Sequence, residues 1–223
     1  MKTFTKIITA SVSMVAALTL TVQGQNLLSD PNFASGTGVA GGFGGWTPFN
    51  GANFSTNYTH GGGSFYSMEN SGPGGYSVPG AYQYVAATAG TTYLLTGYAY
   101  IPTALASASD QGFLQITFVN SAFANLGTVQ TSPGNALVST PIMNNSSPTG
   151  TWVELSALAT APMGTAYAEP FTLVLDADAP TTVYFADLSL TAVPEPSTLA
   201  LAGLGLVTGL FFIRRRLVSQ KAA

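Results

Sequence analysis

Residues 81–101 read AYQYVAATAGTTYLLTGYAYI, and they decide the fold class. Tyr82-Gln83-Tyr84-Val85 leads into the turn signal Ala89-Gly90, and Thr91–Ile101 follows, rich in Thr, Tyr and Leu. Aromatic and β-branched side chains suit a pleated, half-buried surface, and Gly punctuates it. The same texture continues downstream. Phe113–Asn120 sets Leu114, Ile116 and Phe118 on one face, and Thr151–Thr160 alternates Val153, Leu155 and Ala157 with Trp152, Glu154 and Ser156. Phe171–Asp176 and Thr182–Ala192 close the series, with loop signals at Gly41–Gly45, Gly61–Gly63 and Pro133-Gly134. No helical period of useful length interrupts it. Many short strands with turns between them predict an all-β chain built as an antiparallel β-sandwich.

Charge sharpens the picture. All six basic residues lie at the ends of the 223-residue chain: Lys2, Lys6, Arg214, Arg215, Arg216 and Lys221. Residues 25–193 contain no Lys or Arg and carry eight carboxylates (Asp30, Glu69, Asp110, Glu154, Glu169, Asp176, Asp178 and Asp187), a formal charge of −8. Nucleic acid is excluded as a partner, because phosphate neutralisation needs Lys or Arg. Cysteine is absent and His60 is the single histidine, which removes disulfides, thiolate zinc sites and His-pair metal sites. The core must rest on apolar burial and hydrogen bonds, and the acids find no Lys or Arg inside the domain.

The two ends read as address labels. Lys2 and Lys6 precede the apolar run Ile7–Leu20, and Val22 and Gly24 fall at positions −3 and −1 of a cleavage site. This layout predicts a secretory signal peptide over residues 1–24. A retained anchor is the alternative, disfavoured because the run is shorter than the ~20 residues a bilayer needs. At the other end Val193-Pro194-Glu195-Pro196 precedes the apolar run Leu199–Ile213 and the basic stop Arg214-Arg215-Arg216. The run predicts one short transmembrane helix with the arginines cytoplasmic, at ~1.5 Å per residue thinner than a ~30 Å hydrocarbon core. An ordinary single-span anchor is the other reading of this end.

Pro-Glu-Pro, a short Gly/Ala/Leu-rich span and a terminal Arg cluster together resemble the PEP-CTERM sorting signal. The resemblance covers roughly residues 193–223. It implies recognition by an exosortase-type membrane protease and passage through the inner membrane. The tail is then removed, and the protein is delivered to the cell surface or extracellular matrix. Pro194, Glu195 and Pro196 become substrate residues of another enzyme, kept extended because proline cannot continue a strand or enter a helix.

The ectodomain, residues 25–192, resembles the galactose-binding-like jelly rolls of carbohydrate-binding modules. Asn26–Phe33 matches the opening strand, Gly45-Trp46 the next, Ala81–Thr96 the paired central strands, Gly150-Thr151-Trp152 with Ala161–Tyr167 a later strand and turn, and Val183–Leu190 the closing strand. The likeness places Trp46 and Trp152 in the core. It also implies a structural calcium near the chain ends. The family's glutamate after the opening motif is Ala34 here, so Asp187 and Asp30 with backbone carbonyls are left to hold the ion.

Sugar recognition pairs aromatic faces with polar groups. Tyr58, His60, Phe65, Tyr66 and Tyr76 lie in a Gly-rich stretch, where a loop site would sit. Capping the core is the competing role. Asp176 and Asp178 share one face if extended, the minimum for a glycosidase's two carboxylates, although a strand end or ion ligand explains them as well. No Gly-x-Ser-x-Gly elbow accompanies His60, and the glycine-rich stretches lack a phosphate loop's Lys. The reading is an exported, non-catalytic binding module for neutral polysaccharide. Its alternatives are a purely structural surface protein and a divergent glycoside hydrolase.

Overall fold

The computed structural model describes residues 24–35, 44–61, 66–130 and 141–194. The signal peptide, Phe65, Glu195, Pro196, the apolar tail and Arg214, Arg215 and Arg216 lie outside the described residues. Among the described residues there is no α-helix. There are eleven strands: β1 (Thr47–Phe49), β2 (Asn53–Ser55), β3 (Ser67–Gly72), β4 (Gly80–Tyr82), β5 (Val85–Ala86), β6 (Thr92–Tyr100), β7 (Gln111–Val119), β8 (Asn125–Gln130), β9 (Trp152–Thr160), β10 (Tyr167–Leu175) and β11 (Thr181–Val193).

They form two antiparallel sheets. Sheet A runs β1-β4-β10-β7-β8, with β5 also paired to β10, and sheet B runs β2-β3-β11-β6-β9. Period-two alternation aims one row of each strand between the sheets. Leu114, Ile116 and Phe118 of β7, Leu155 and Ala157 of β9, Leu95 of β6, and Phe185, Leu188 and Leu190 of β11 make this buried core. Each fully buried large side chain contributes about 1.5–3 kcal/mol.

The long strands fall where alternation predicts them. The opening segment does not. Over Asn26–Phe33 the structure has no strand, only an extended piece and a turn. Pro31 lacks an N–H, and Asp30 and Phe33 take φ of +45° and +55°, which a strand cannot accommodate. The Asn26 side chain does the pairing instead, accepting from Leu190 N (3.0 Å) and donating to Leu188 O (3.0 Å), beside a Leu27 N to Leu190 O bond of 2.8 Å. β3 accompanies β11 only over Thr181–Phe185. A bulge then shifts the β11–β6 register between Ala186 and Ser189, and Gly24–Leu28 takes the strand position that β3 vacates. Trp46 is core, as expected, packing on Phe33 at 5.3 Å and donating to Asp30 O. Trp152 is not. Its parity in β9 opposes that of Leu155 and Ala157, so it lies half-buried on the outer face of sheet B.

Candidate functional site

The outer face of sheet A is assembled by three neighbouring strands. The β10–β7 register sets Phe171 against Gln115 and Glu169 against Thr117, while Tyr82 of β4 faces Phe171 from the other side. Pro170 explains a break in this face. Proline brings no N–H to the ladder, and opposite it the partner chain interrupts, with β4 ending at Tyr82 and β5 starting at Val85. At that interruption Gln83 is buried, and its amide exchanges two bonds with the Ser29 backbone, 2.9 and 3.1 Å. Tyr84, of opposite parity, turns outward with its hydroxyl by Glu169.

Rings continue from there. Tyr82 lies 5.4 Å from both Tyr84 and Phe171, Tyr84 lies 4.9 Å from Phe123, and Phe123 stacks on Tyr167 at 5.3 Å with planes 11° apart. Tyr84 is 44% exposed and Phe123 55%. Phe123 reaches this position from a tight turn after β7, with φ at +59°. A bulky side chain held there costs about 1–2 kcal/mol. The Asn120 side chain offsets that cost by accepting from Ala122 N (2.9 Å) and Ala124 N (3.0 Å). Between the rings, Glu169, Gln115 and Thr117 are buried polar groups on the same face, with Gln115 donating to Thr117 Oγ1 at 3.1 Å. Burial pushes the Glu169 carboxyl above its ordinary 4.5, partly offset by the Tyr84 hydroxyl. Burial and the Glu169 charge in turn raise the Tyr84 phenol.

The aromatic residues singled out in the Gly-rich stretch go to three separate places. Tyr58 and His60 lie on the outer face of sheet B. Tyr58 stacks on Tyr100 (4.6 Å, 30°) and meets Tyr184 edge-on, while His60 stacks on Tyr98 (3.9 Å, 21°) against Trp152. Tyr184 is buried there, and burial first raises its phenol, with Asn57 and Glu69 close by. Tyr66 packs on Phe54 beside the core. Tyr76 stands alone at 77% exposure with φ at +67°. The sheet A group was missed because it lies outside the Gly-rich stretch, on β4, β7 and β10 and in the short connections that hold Tyr84 and Phe123. Its one signal was the Tyr82-x-Tyr84 spacing, which places two tyrosines on one face.

The acidic expectations are placed as follows. Asp187 occupies the β11 bulge at φ +49°, and its Oδ2 meets His60 Nδ1 at 2.6 Å. Asp30 Oδ2 accepts from Ser35 N at 3.1 Å. Among the described residues no three His, Asp or Glu side chains gather at one point, so calcium between Asp30 and Asp187 stays an expectation of the resemblance. Asp176 and Asp178 do not share a face. Asp176 follows β10 turned inward and fully buried, whereas Asp178 is exposed and bonds Ser107. A sealed Asp176 cannot reach a substrate, so this pair does not make a glycosidase site.

Residues 192–216 match the PEP-CTERM protein-sorting motif, and the chain carries that motif. No curated protein matches the chain in sequence. Among solved structures it is similar to the arabinose-bound MgGH51 α-L-arabinofuranosidase, with a TM-score of 0.56 at 18% identity over 76% of this chain and 27% of that one. It is similar to the CBM22-1 xylan-binding domain of Xyn10C from Paenibacillus barcinonensis, with 0.52 at 16% identity over 78% of this chain and 97% of that one. It is also similar to the enzymatically active domain of tailspike protein 4 of bacteriophage CBA120, with 0.50 at 12% identity over 75% and 21%. The chain thus spans about a fifth to a quarter of the two larger proteins and nearly the whole xylan-binding domain. At these identities the likeness shows the fold: a two-sheet antiparallel sandwich of the kind found in carbohydrate-binding modules.

Proposed function

We propose that the protein is an exported, non-catalytic glycan-binding module, with its site on the outer face of sheet A. The supporting observation is the group formed by Tyr84 and Phe123. Both rings are about half exposed, Phe123 is held in a strained turn, and Tyr84 lies by Glu169, which is buried on the same face as Gln115. Flat rings suit the C–H faces of sugar rings, and the polar groups between them suit hydroxyls. The xylan-binding neighbour, matched over nearly its whole length, supports the same reading. Neutral polysaccharide is the favoured ligand class, since a domain carrying −8 repels acidic chains. The sorting motif supports export through the membrane, with an exosortase-type protease acting at Pro194, Glu195 and Pro196.

Affinity electrophoresis in gels containing neutral xylans, glucans or mannans tests the assignment. Retardation in at least one, weakened roughly tenfold in Tyr84→Ala and in Phe123→Ala (~1.4 kcal/mol each), is expected. Unretarded migration in every neutral and acidic glycan would leave the structural-protein reading. Reducing ends released from any of these glycans by the unmodified protein would overturn the non-catalytic part.

A further inference from the structure

Two further acids lie on neighbouring strands at the opposite end of β10. The β7–β10 ladder ends at Gln111 against Leu175, and one further step sets Asp110 against Asp176. Both are fully buried. Both face inward, because the preceding inward pair is Val174, in the core, and Gly112, where a Cβ would strike Val183 of sheet B. The Asp176 carboxylate extends across to sheet B and fills the space a side chain at Gly72 would take. A Cβ there would stand 2.3 Å from Oδ2 and 3.0 Å from Cγ.

Their hydrogen bonds are unequal. Asp110 Oδ1 accepts from Ala177 N and Asp178 N at 3.0 Å each, and Oδ2 from Ser107 N at 3.2 Å. Asp176 Oδ2 accepts from Gly74 N and from Ser77 Oγ (3.2 Å). Asp176 Oδ1 is buried with no hydrogen-bond partner. Like charges directly opposite on neighbouring strands repel, and a buried acceptor without a partner costs about 1–3 kcal/mol. No Lys or Arg exists between residues 25 and 193 to offset either cost, and His60 is committed to Asp187.

We propose that Asp110 and Asp176 hold a structural divalent cation of the calcium type, with Asp176 Oδ1 as a ligand. Calcium takes carboxylate oxygens together with backbone carbonyls, hydroxyls and water. Two carboxylates would supply part of that shell, and backbone carbonyls and water the rest. The ion would tie the start of β7, the end of β10 and the turn after β3. This site is separate from Asp30 and Asp187, and it does not depend on the glycan reading.

The test uses the full-length chain in detergent. Treatment with a chelator should lower the melting temperature by several degrees, and calcium alone should restore it. Terbium should bind at one site displaceable by calcium, and more than tenfold more weakly in Asp176→Asn. Asp187→Asn should retain that site. Loss of the site in Asp187→Asn but not in Asp176→Asn would move the ion to the chain ends and overturn the proposal. Should Asp176→Asn fail to fold, the unmodified chain decides. A metal-free protein whose melting ignores calcium would overturn the proposal.

Discussion

On sheet B the rings of Tyr98, Tyr100 and Trp152 lie beneath Tyr58 and His60, which arrive on the loop after β2. On sheet A, Tyr84 and Phe123 stand about half exposed, and the chain accepts a left-handed φ to keep Phe123 there. The two faces have similar aromatic content and opposite economies. One satisfies its rings internally, with ring pairs and a His60–Asp187 contact. The other leaves rings exposed beside buried polar groups. Aromatic content alone does not mark a binding face; exposure maintained against strain does.

Three measurements break or sharpen this contrast. The largest effect belongs to Tyr58→Ala. It removes the contacts with Tyr100 and Tyr184 and should destabilise the domain by about 2 kcal/mol in chemical denaturation, leaving glycan retardation unchanged. If retardation vanished while stability held, the binding face would be sheet B.

The next effect reports on Glu169. Its folded carboxyl is raised by burial, so the folded state holds the proton longer than the unfolded chain. Stability is full below the unfolded value near 4.5, falls as pH rises through the folded value, and is flat above it. Glu169→Gln should abolish that fall and leave the domain at least as stable at pH 7, by a few degrees of melting temperature or less. A variant less stable at pH 7 would mean that the charged form is favoured in place.

The smallest effect is that of His60→Gln. The His60–Asp187 pair is partly exposed, 25% and 31% for the two side chains, so its loss should cost under ~1 kcal/mol, and less as salt rises. A larger loss would make the His60 contact the main fastener of the loop.

Fold class was legible because β6, β9 and β11 alternate between glycine and proline signals and β7 alternates in part. Their bounds differ from the predicted runs by a residue or two at each end. Tyr82–Val85, expected as one strand, is split into β4 and β5, because the cause lies elsewhere, at Pro170 on the partner strand. The proposed binding face was illegible for the same reason. Glu169, Gln115 and Tyr84 meet only through a register that no local pattern encodes, and nothing in the residues around Phe123 announces a positive φ. Trp152 shows the converse error. Its own alternation with Leu155 placed it outside, and the family likeness overrode that signal. For Asp176 and Asp178, spacing placed two acids on one face of a regular strand, but β10 ends at Leu175 and the chain turns between them.

β11 joins directly to Pro194 and the sorting motif. Its thirteen residues are bonded on one side by β6 and on the other by β3 and then by Gly24–Leu28. A tether pulling on the tail therefore pulls along a central strand, across rows of hydrogen bonds that lie perpendicular to the force. Such rows share the load and give way together, whereas a strand peeled from an edge loses its bonds one at a time. The strand from which the domain would hang is thus one held on both sides, and resistance to traction there is set by the rate of forced unfolding rather than by equilibrium stability.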